Sequence, residues 1–439
     1  MPAGAAFIIF LASMLVCIAT GHTMLIALAV GFVCFFAAAC RLDRSPGEVL
    51  RMAWLGIRTS LVVVVILMLV GCITGLWRSA GVIAYFVYYG MKIITPHLFI
   101  LIAFLLAVVL SYALGTSFGV AATAGVIFVT LAKSGNVSLL ITGGAILSGC
   151  YFGDRGSPVS SSAAITANVT GTDMNGNVRE MMRSAVLPLA LCIAVYGILS
   201  YLNPVTDVDP AIMKMLSSDF VLTPWLLLPA AVVIILPLFK VNINIVMASS
   251  IVIGFVETMV IQGAGFSQTM QYMITGFTAE DPVMGAIMNG GGLTSMLEIC
   301  AILAISCSYS VILKSTGMLR GAQRIIVRIA ARAGRFAATL ITGITMSALF
   351  CNQTIATVMT VDLVERMYHL GGAPKRELAI DIENSAIVMA AAIPWCLAAA
   401  VVYQVMGLGS GILLYSYYPV LVSVCWLFTK NRIGIKDKG

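Results

Sequence analysis

The chain has 439 residues, of which 60% are hydrophobic and only 10% are charged. Soluble domains carry about 25% charged residues, so this composition excludes a soluble globular protein and indicates a polytopic membrane protein. The net charge of +7 arises from Lys and Arg residues gathered in a few connecting loops, a pattern that orients membrane helices and does not indicate a nucleic-acid partner. The three histidines are isolated and the eleven cysteines form no CxxC pair, so neither a protein-bound metal nor a cofactor is expected.

Apolar runs of the length that a membrane helix needs, roughly 20 residues, follow one another along the chain. The predicted spans cover residues 4–20, 22–40, 59–77, 81–95, 97–114, 137–152, 184–202, 221–239, 241–262, 293–313, 336–350 and 411–429. Polar residues, glycine and proline predict broken helices at residues 115–131, 153–172, 352–365 and 380–407. The first run lacks a positively charged start and leads directly into the second, so a helix hairpin is predicted there and not a cleaved signal.

The charged loops predict the orientation of these spans. Basic residues lie at Arg41, Arg44, Arg51, Arg58, Arg179, Arg183, Lys314, Arg320, Arg324, Arg328, Arg332 and Arg335, and again in the tail at residues 430–439. Acidic residues lie at Asp207, Asp209, Asp219, Glu280 and Asp281. The positive-inside rule therefore predicts that the basic loops and both termini are cytoplasmic, with the acidic loops outside.

The two halves of the chain resemble each other. Residues 78–81 align with residues 314–317 through a shared basic–Ser–small–Gly core, and residues 111–123 parallel residues 347–357. The orientation above puts Arg78 outside and Lys314 inside, so the copies are predicted to be inverted. Inverted repeats with broken helices at matching places are typical of secondary transporters.

The predicted fold is therefore an all-α polytopic membrane protein. Two inverted-topology repeats are expected, with broken helices or re-entrant hairpins that meet at the membrane midplane. The predicted units are a first repeat at residues 1–202, an external linker at 203–220, a second repeat at 221–430 and a cytoplasmic tail at 431–439.

The polar interruptions carry the candidate binding residues. Unwound backbone, hydroxyl and amide groups together form a natural site for a cation or a small solute. The neutral candidates are Thr116, Ser117, Thr123, Ser157, Ser160, Asn352, Gln353, Thr354, Thr357, Asn384 and Ser385. The alternative is that such side chains bond to their own helix or mediate helix packing, and for Ser160, Ser161 and Ser162 taken singly packing is the favoured interpretation.

Carboxylates are scarcer in the apolar segments and therefore more informative. Asp154 and Glu383 occupy comparable places in the two halves, each at a predicted helix break. One acid that holds either a proton or a cation provides the minimal chemistry of an antiporter. The alternative for Asp154 is a structural ion pair with Arg155 or with another basic residue. Asp381 is interpreted as a solvated partner of Lys375 or Arg376.

Several of these motifs resemble the NhaC-type Na+/H+ antiporter family of bacterial inner-membrane proteins. The block GDRGSPVS at residues 153–160, followed by GTD at 171–173, is similar to the family pattern G-D-K-x-S-P-L-S-D-T-T-N with A-G-T-D. GTSFG at 115–119 resembles its G-T-S-W-G element, and PKREL at 374–378, ENS at 383–385 and IPW at 393–395 resemble its late block. The resemblance implies a multi-pass protein of the bacterial cytoplasmic membrane that moves Na+ against H+. Asp154 and Glu383, chosen above from the residues themselves, are the predicted carboxylates that couple a proton to a cation, and transported Na+ is a candidate ligand of both.

The chain also departs from that pattern. Ser160 to Ala164 replace the family's S-D-T-T-N, and Asn384 replaces its second late acid, so two carboxylates are missing. Fewer charged oxygens weaken a site for a bare cation. The alternative is therefore an H+- or Na+-coupled transporter of a small organic acid or amino acid on the same scaffold, since the family includes exchangers of malate for lactate.

The leading hypothesis is thus a secondary active transporter that works by alternating access. A channel is disfavoured by the internal repeat, and a membrane-embedded enzyme by the lack of a histidine near Ser160–Ser162 and of an HExxH motif. The expected partners are the lipid bilayer, the transported cation or organic solute, and H+. Related architectures often dimerise, which makes a homodimer an open expectation.

Overall fold

The computed structural model describes residues 2–20, 22–42, 44–93, 95–205, 210–239, 241–318 and 322–433. Within these ranges the fold is helical, and the one β-type contact is an isolated bridge between Phe277 and Gly290. The predicted all-α class is confirmed. Asp207, Asp209 and Arg320, together with residues 434–439 of the predicted tail, lie outside the described residues.

Ten helices make up the described first part of the chain. They are α1 (Ala3–Thr20), α2 (Met24–Cys40), α3 (Pro46–Ser79), α4 (Val82–Ile93), α5 (Phe99–Leu114), α6 (Ser117–Val120), α7 (Val126–Ser134), α8 (Leu139–Gly156), α9 (Ser161–Thr170) and α10 (Met174–Leu202). A π-helical turn, Ala121–Gly125, joins α6 to α7, so that Ser117–Ser134 is one continuous span.

Twelve helices follow in the described remainder. They are α11 (Pro210–Asp219), α12 (Leu228–Ile235), α13 (Ile243–Val260), α14 (Phe266–Thr275), α15 (Pro282–Met288), α16 (Leu297–Thr316), α17 (Ala322–Ala333), α18 (Arg335–Phe350), α19 (Gln353–Leu370), α20 (Lys375–Ile382), α21 (Leu397–Val405) and α22 (Tyr417–Ile433). A second π-helical turn, Glu383–Ile387, extends α20, and short 3-10 turns connect several of the others.

The helices are long and apolar enough for a multi-pass membrane protein. Among the described residues six helices meet the length and composition of a span, and two bent helix pairs raise that number to eight. α3 is much longer than the span predicted at residues 59–77, because Ser45 caps its start and Pro46 occupies its first turn. α4, predicted as a span at residues 81–95, has only 12 residues.

Two helix breaks in each half position the functional region. α5 ends at Gly115 and α18 ends at Cys351, and both residues adopt the left-handed conformation, with φ of 65° and 53°. In the first half a Cβ on Gly115 would lie 2.7 Å from the backbone of Val159, which belongs to the break between α8 and α9. In the second half the Leu397 N–H, at the start of α21, donates to the Cys351 carbonyl at 2.8 Å.

The order of helices and breaks over residues 99–202 thus recurs over residues 335–433. That the two halves lie in opposite orientations across the membrane stays a prediction.

The positions of the helix breaks differ from the predicted positions. α8 continues to Gly156, so Asp154 is helical and the chain unwinds only after it. Glu383 lies inside a continuous helix that ends near Ile393, so its predicted position at a break is wrong.

Close packing of small residues joins α5 to α8. Gly149 and Gly153 are one helical turn apart on α8, and both face α5. The Ser111 hydroxyl donates to the Gly149 carbonyl at 2.7 Å and accepts from the Gly153 N–H at 3.0 Å. Small residues let two membrane helices approach until backbone groups touch, and this contact fixes the helix that carries Asp154.

Replacing Gly153 by alanine is expected to lower thermal stability. The added Cβ would collide with the backbone of Ser111, and overpacking of this kind costs about 1–3 kcal/mol. Gly197 on α10 is the matched control, because a Cβ there meets no atom within 4 Å. Thermal unfolding in detergent should show a lower midpoint for Gly153→Ala and an unchanged or slightly higher one for Gly197→Ala. Equal loss in both variants would contradict the packing argument.

Candidate functional site

A cavity of about 330 Å³ lies where the helix breaks of the two halves face each other. Its polar lining comes from the start of α6, the end of α8 and the starts of α9 and α19. The lining residues are Val63, Ile66, Leu114, Gly115, Thr116, Ser117, Phe118, Asp154, Val159, Ser161, Ser162, Ile243, Met247, Asn352, Gln353, Thr354, Leu397, Ala398 and Val401. Ser161 and Thr354 are exposed, so the cavity opens to the surface of the protein beside them.

The polar side of this cavity is formed by helix starts, and capping side chains fix where two of these helices begin. Ser160 caps α9, its hydroxyl accepting from the N–H groups of Ser162 and Ala163 at 3.2 Å each. Asn352 caps α19 in the same way, accepting from the Ile355 N–H at 3.2 Å. Capping satisfies only part of the free N–H groups of a helix start, and the positive end of the helix dipole favours a negative charge nearby.

Asp154 is the one carboxylate among the described residues that line the cavity, and it is only 5% exposed. One carboxylate oxygen accepts from the N–H and the hydroxyl of Ser117, at 3.4 and 3.5 Å. The other accepts from the Ser162 hydroxyl and from Nε2 of Gln353, both at 3.1 Å. Three helices drawn from both halves of the chain therefore hold this carboxylate with neutral donors.

Arg155 does not neutralise Asp154. Its guanidinium points away and donates to the Tyr418 hydroxyl at 2.9 Å, the Met181 carbonyl at 3.0 Å and the Ser184 hydroxyl at 2.5 Å. No salt bridge within 4 Å involves Asp154 or Arg155 in the described parts of the chain. The alternative of a structural ion pair between these neighbours is therefore wrong.

Gln353 connects the carboxylate to the opposite half of the fold. Besides Asp154, its Nε2 donates to the Ile387 carbonyl at 3.2 Å. Ile387 ends the π-helical turn of α20, and such a turn widens the helix and displaces its backbone hydrogen bonds. One amide group thus joins Asp154 to the helix that carries Glu383.

Glu383 and Asn384 lie outside the cavity lining and are completely buried. Neither carboxylate oxygen of Glu383 and neither polar side-chain atom of Asn384 has a hydrogen-bond partner among the described residues. Thr166 is a neighbour of Glu383, and Arg155 and Asp154 are both within electrostatic range of it. These residues form a buried polar cluster behind the cavity.

The remaining predicted residues serve local structure. Ser157 donates to the Tyr112 carbonyl at 2.6 Å, and Ser160 donates to the Asp154 carbonyl in addition to capping α9. Three further hydroxyls donate to carbonyls of their own helices: Thr123 to Gly119 at 2.7 Å, Thr357 to Gln353 at 2.8 Å and Ser385 to Asp381 at 2.5 Å. Thus Thr116, Ser117, Asp154, Asn352, Gln353 and Thr354 meet at the cavity, and the other candidates do not line it.

Ser161 and Ser162 also line the cavity, although packing was the favoured interpretation of their sequence. The signal that identifies them is the capping role of Ser160. With Ser160 as cap, Ser161 and Ser162 occupy the first turn of α9, where helical side chains point back toward the helix start and hence toward α8.

Asp381 is not the solvated residue that the sequence suggested. It is fully buried and accepts from Nε1 of Trp426 at 2.7 Å, from the Tyr368 hydroxyl at 2.5 Å and from Nζ of Lys430. Lys430 also pairs with Glu377 at 2.7 Å. This network ties α19, α20 and α22 together.

Comparison with known proteins decides the family. Residues 149–429 match the Na+/H+ antiporter family. The chain belongs to that family. It is 25% identical over 400 residues to a malate-2H(+)/Na(+)-lactate antiporter of Bacillus subtilis, covering 89% of this chain and 85% of the relative. It is 24% identical over 375 residues to the Na(+)/H(+) antiporter NhaC of Alkalihalophilus pseudofirmus, covering 82% and 81%.

A further relative extends the range of cargoes. The arginine/ornithine antiporter ArcD of Halobacterium salinarum is 26% identical over 407 residues, covering 87% of this chain and 82% of the relative. Membership of the Na+/H+ antiporter family confirms the resemblance drawn from the sequence motifs and the prediction of an antiporter embedded in a membrane. The named relatives are transporters and not enzymes.

In this member of the Na+/H+ antiporter family, replacing Gln353 by methionine is expected to weaken apparent Na+ affinity. The change removes the side-chain carbonyl oxygen of Gln353, a neutral oxygen ligand beside the Asp154 carboxylate of the kind that a hard cation prefers, so the apparent KM for Na+ should rise. Na+-dependent proton flux in proteoliposomes measures it. Thr357→Val is the control, because that hydroxyl bonds only within its own helix. A similar loss of apparent Na+ affinity in both variants would contradict the assigned role of Gln353.

Proposed function

We propose that the protein exchanges Na+ for protons by alternating access and that Asp154 holds the two ions in turn. The single observation that carries this proposal is the Asp154 carboxylate itself. It is buried in the cavity between the two halves and held by neutral donors, with no cationic side chain paired to it among the described residues. A carboxylate buried in this way requires a positive partner, and a proton or a metal cation supplies it.

The groups around Asp154 suit a small hard cation. Na+ prefers oxygen ligands, as Ca2+ and Mg2+ do, and hydroxyl oxygens of Ser117 and Ser162 lie at hydrogen-bond distance from the carboxylate. The Gln353 side chain carries both an amide N–H donor and a carbonyl oxygen acceptor. The N–H group donates to the carboxylate when no cation is bound, and the carbonyl oxygen can contact a bound cation.

Charge balance supports competition between the two ions. Glu383 lies within electrostatic range of both Asp154 and Arg155, and all three residues are buried. With both carboxyl groups ionised, the three residues carry one net negative charge. A single Na+ or a single proton neutralises that charge, and buried unbalanced charge is costly. Binding of one ion therefore disfavours the other, which is the requirement for exchange.

Gln353 offers a route by which occupancy changes the fold. Its amide nitrogen donates to both Asp154 and the Ile387 carbonyl in the π-helical turn of α20. If the amide turns so that its oxygen contacts a cation at Asp154, the hydrogen bond to Ile387 changes. Alternating access then proceeds by movement of one half against the other around the fixed site. In the same proposal the two halves have opposite orientations across the membrane. Both termini are cytoplasmic, and the protein lies in the inner membrane. A homodimer stays an expectation.

A small organic acid or amino acid is the second candidate substrate. The cavity of about 330 Å³ has room for about ten water molecules at roughly 30 Å³ each, which exceeds the space a partly hydrated Na+ needs. Its remaining wall is apolar, formed by residues such as Phe118, Met247 and Leu397. The names of the malate/lactate and arginine/ornithine relatives agree with a cargo of this size.

Proton flux in proteoliposomes that contain a pH dye tests both candidates. External NaCl should produce a saturable pH change that KCl and choline chloride do not. A panel of organic acids and amino acids follows at constant Na+. Silence to every cation, with a response to one organic solute, would replace the first candidate with the second.

The Asp154→Asn variant is expected to abolish exchange while the protein still folds and inserts. Asparagine keeps the size of the side chain and one of its two acceptor oxygens but takes up no proton at this position. Flux in proteoliposomes, beside size-exclusion profiles of the purified protein, measures the two properties. Asp362→Asn is the control, since Asp362 is an exposed carboxylate paired with Lys314 at 3.7 Å. Normal exchange by Asp154→Asn would refute the proposed role.

The Glu383→Gln variant is expected to slow Na+-driven proton exchange without unfolding the protein. It removes one potential negative charge within electrostatic range of Asp154, so the buried cluster attracts a cation less strongly. The apparent KM for Na+ should rise more than the maximal rate falls. An unchanged KM would mean that Glu383 takes no part in ion binding.

A further inference from the structure

We infer that the end of α3 carries a second binding site, for a compact monovalent anion, formed by Arg78 and Lys133. This site lies away from the cavity. Ile66, the cavity residue of α3 closest to it in sequence, precedes Arg78 by 12 residues, or about 18 Å along the helix. The inference does not rest on the proposed exchange of Na+ and protons.

Arg78 is a buried cation without a carboxylate partner. It is 5% exposed and its Nη1 donates to the Thr74 carbonyl of its own helix at 2.9 Å, while its Nε finds no hydrogen-bond partner in the described parts of the chain. Among the described residues no acidic side chain lies within 4 Å of it. A buried guanidinium is normally paired, because the desolvation of an isolated charge is expensive.

Lys133 adds a second positive charge to the same place. It lies in the last turn of α7, is partly buried, and is within electrostatic range of Arg78. Lys133 also lacks a salt bridge among the described residues. Two like charges in a partly dehydrated region repel each other, so the pair destabilises the fold unless a negative charge joins it.

The helix ends compensate only part of this charge. Both residues lie in the last turn of a helix, where the dipole supplies roughly half a negative charge at each end. Two positive side chains and two helix ends, each with about half a negative charge, together leave about one positive charge unbalanced. One monovalent anion supplies that amount.

The matched position in the other half of the chain is built differently. Lys314, which aligns with Arg78 in sequence, pairs with Asp362 at 3.7 Å. Asp362 lies on α19, the helix that corresponds to α6 and α7 in the order of elements. The second half therefore places a carboxylate within 4 Å of its cation, whereas in the first half Arg78 has another cation, Lys133, within electrostatic range. An external anion takes the role that Asp362 plays in the second half.

The approach to Arg78 passes a residue without a side chain. Gly290 has a φ of 127°, is exposed, and would place a Cβ about 4.0 Å from both Cζ and Nη2 of Arg78. This side of the guanidinium therefore faces an exposed residue that has no side chain. A guanidinium and an ammonium both donate strong hydrogen bonds to a small anion such as chloride or a short carboxylate.

Thermal unfolding of the full-length protein in detergent tests the inference. Sodium gluconate is replaced stepwise by sodium chloride, and separately by sodium formate or sodium lactate, at constant Na+ and ionic strength. Because a ligand that binds only the folded state stabilises it, the melting temperature should rise and saturate with one of these compact anions. The two arms distinguish a halide from a carboxylate as the ligand.

Variants assign the response to the two residues. Arg78→Gln should shift the half-saturating concentration upward by roughly tenfold or more, and Arg78→Lys should retain a weakened response. Lys133→Gln should weaken it as well. Lys314→Gln is the matched control and should respond as the unaltered protein does, because its charge is already paired. Each titration is referred to its own gluconate value, so a general loss of stability does not imitate the effect.

Three results would overturn the inference. The first is a melting temperature that is the same in gluconate and in all compact anions. The second is an equal response in Arg78→Gln and the unaltered protein. The third is a response that arises only after Asp207 and Asp209 are both changed to Asn, which would mean that the chain supplies its own counter-charge.

Discussion

The fold is organised around one costly group, a carboxylate held inside a membrane protein with no cationic side chain paired to it among the described residues. Asp154 keeps its place because four donor contacts from α6, α9 and α19 surround it, and those contacts need three helix starts to converge at one point. Helix starts inside a bundle require breaks in the chain, which is why each half unwinds where it faces the other. The polar breaks, the caps and the cavity are consequences of this single requirement.

Tight packing behind the site makes that arrangement rigid. α8 carries Asp154 and is fixed to α5 through backbone contacts at Gly149 and Gly153. α19 carries Gln353 and is joined through Tyr368 to the ion network of α20 and α22. The carboxylate thus lies between two separately braced units, and its contacts to Ser162 and Gln353 are among the links that cross from one to the other.

Sequence reasoning reached the membrane class, the family, the broken helices and six of the residues that meet at the cavity. It reached these because glycine, proline and carboxylates are conspicuous in apolar runs. It missed Ser162 because the direction of that hydroxyl depends on α9 starting at Ser161 and not earlier. It placed Glu383 at a helix break because no sequence pattern here indicates the π-helical turn through which α20 continues. It misjudged Asp381 because the partner, Lys430, lies 49 residues away along the chain.

The distance between Asp381 and Lys430 also bears on how the protein is made. During synthesis α20 leaves the ribosome well before α22, and Asp381 then lacks the ammonium and the indole N–H that later bind it. Until α22 arrives, this carboxylate has to stay hydrated or protonated, so α20 cannot settle into its final place in the bilayer. The second half of the protein therefore completes its insertion late, as a unit closed by its final described helix.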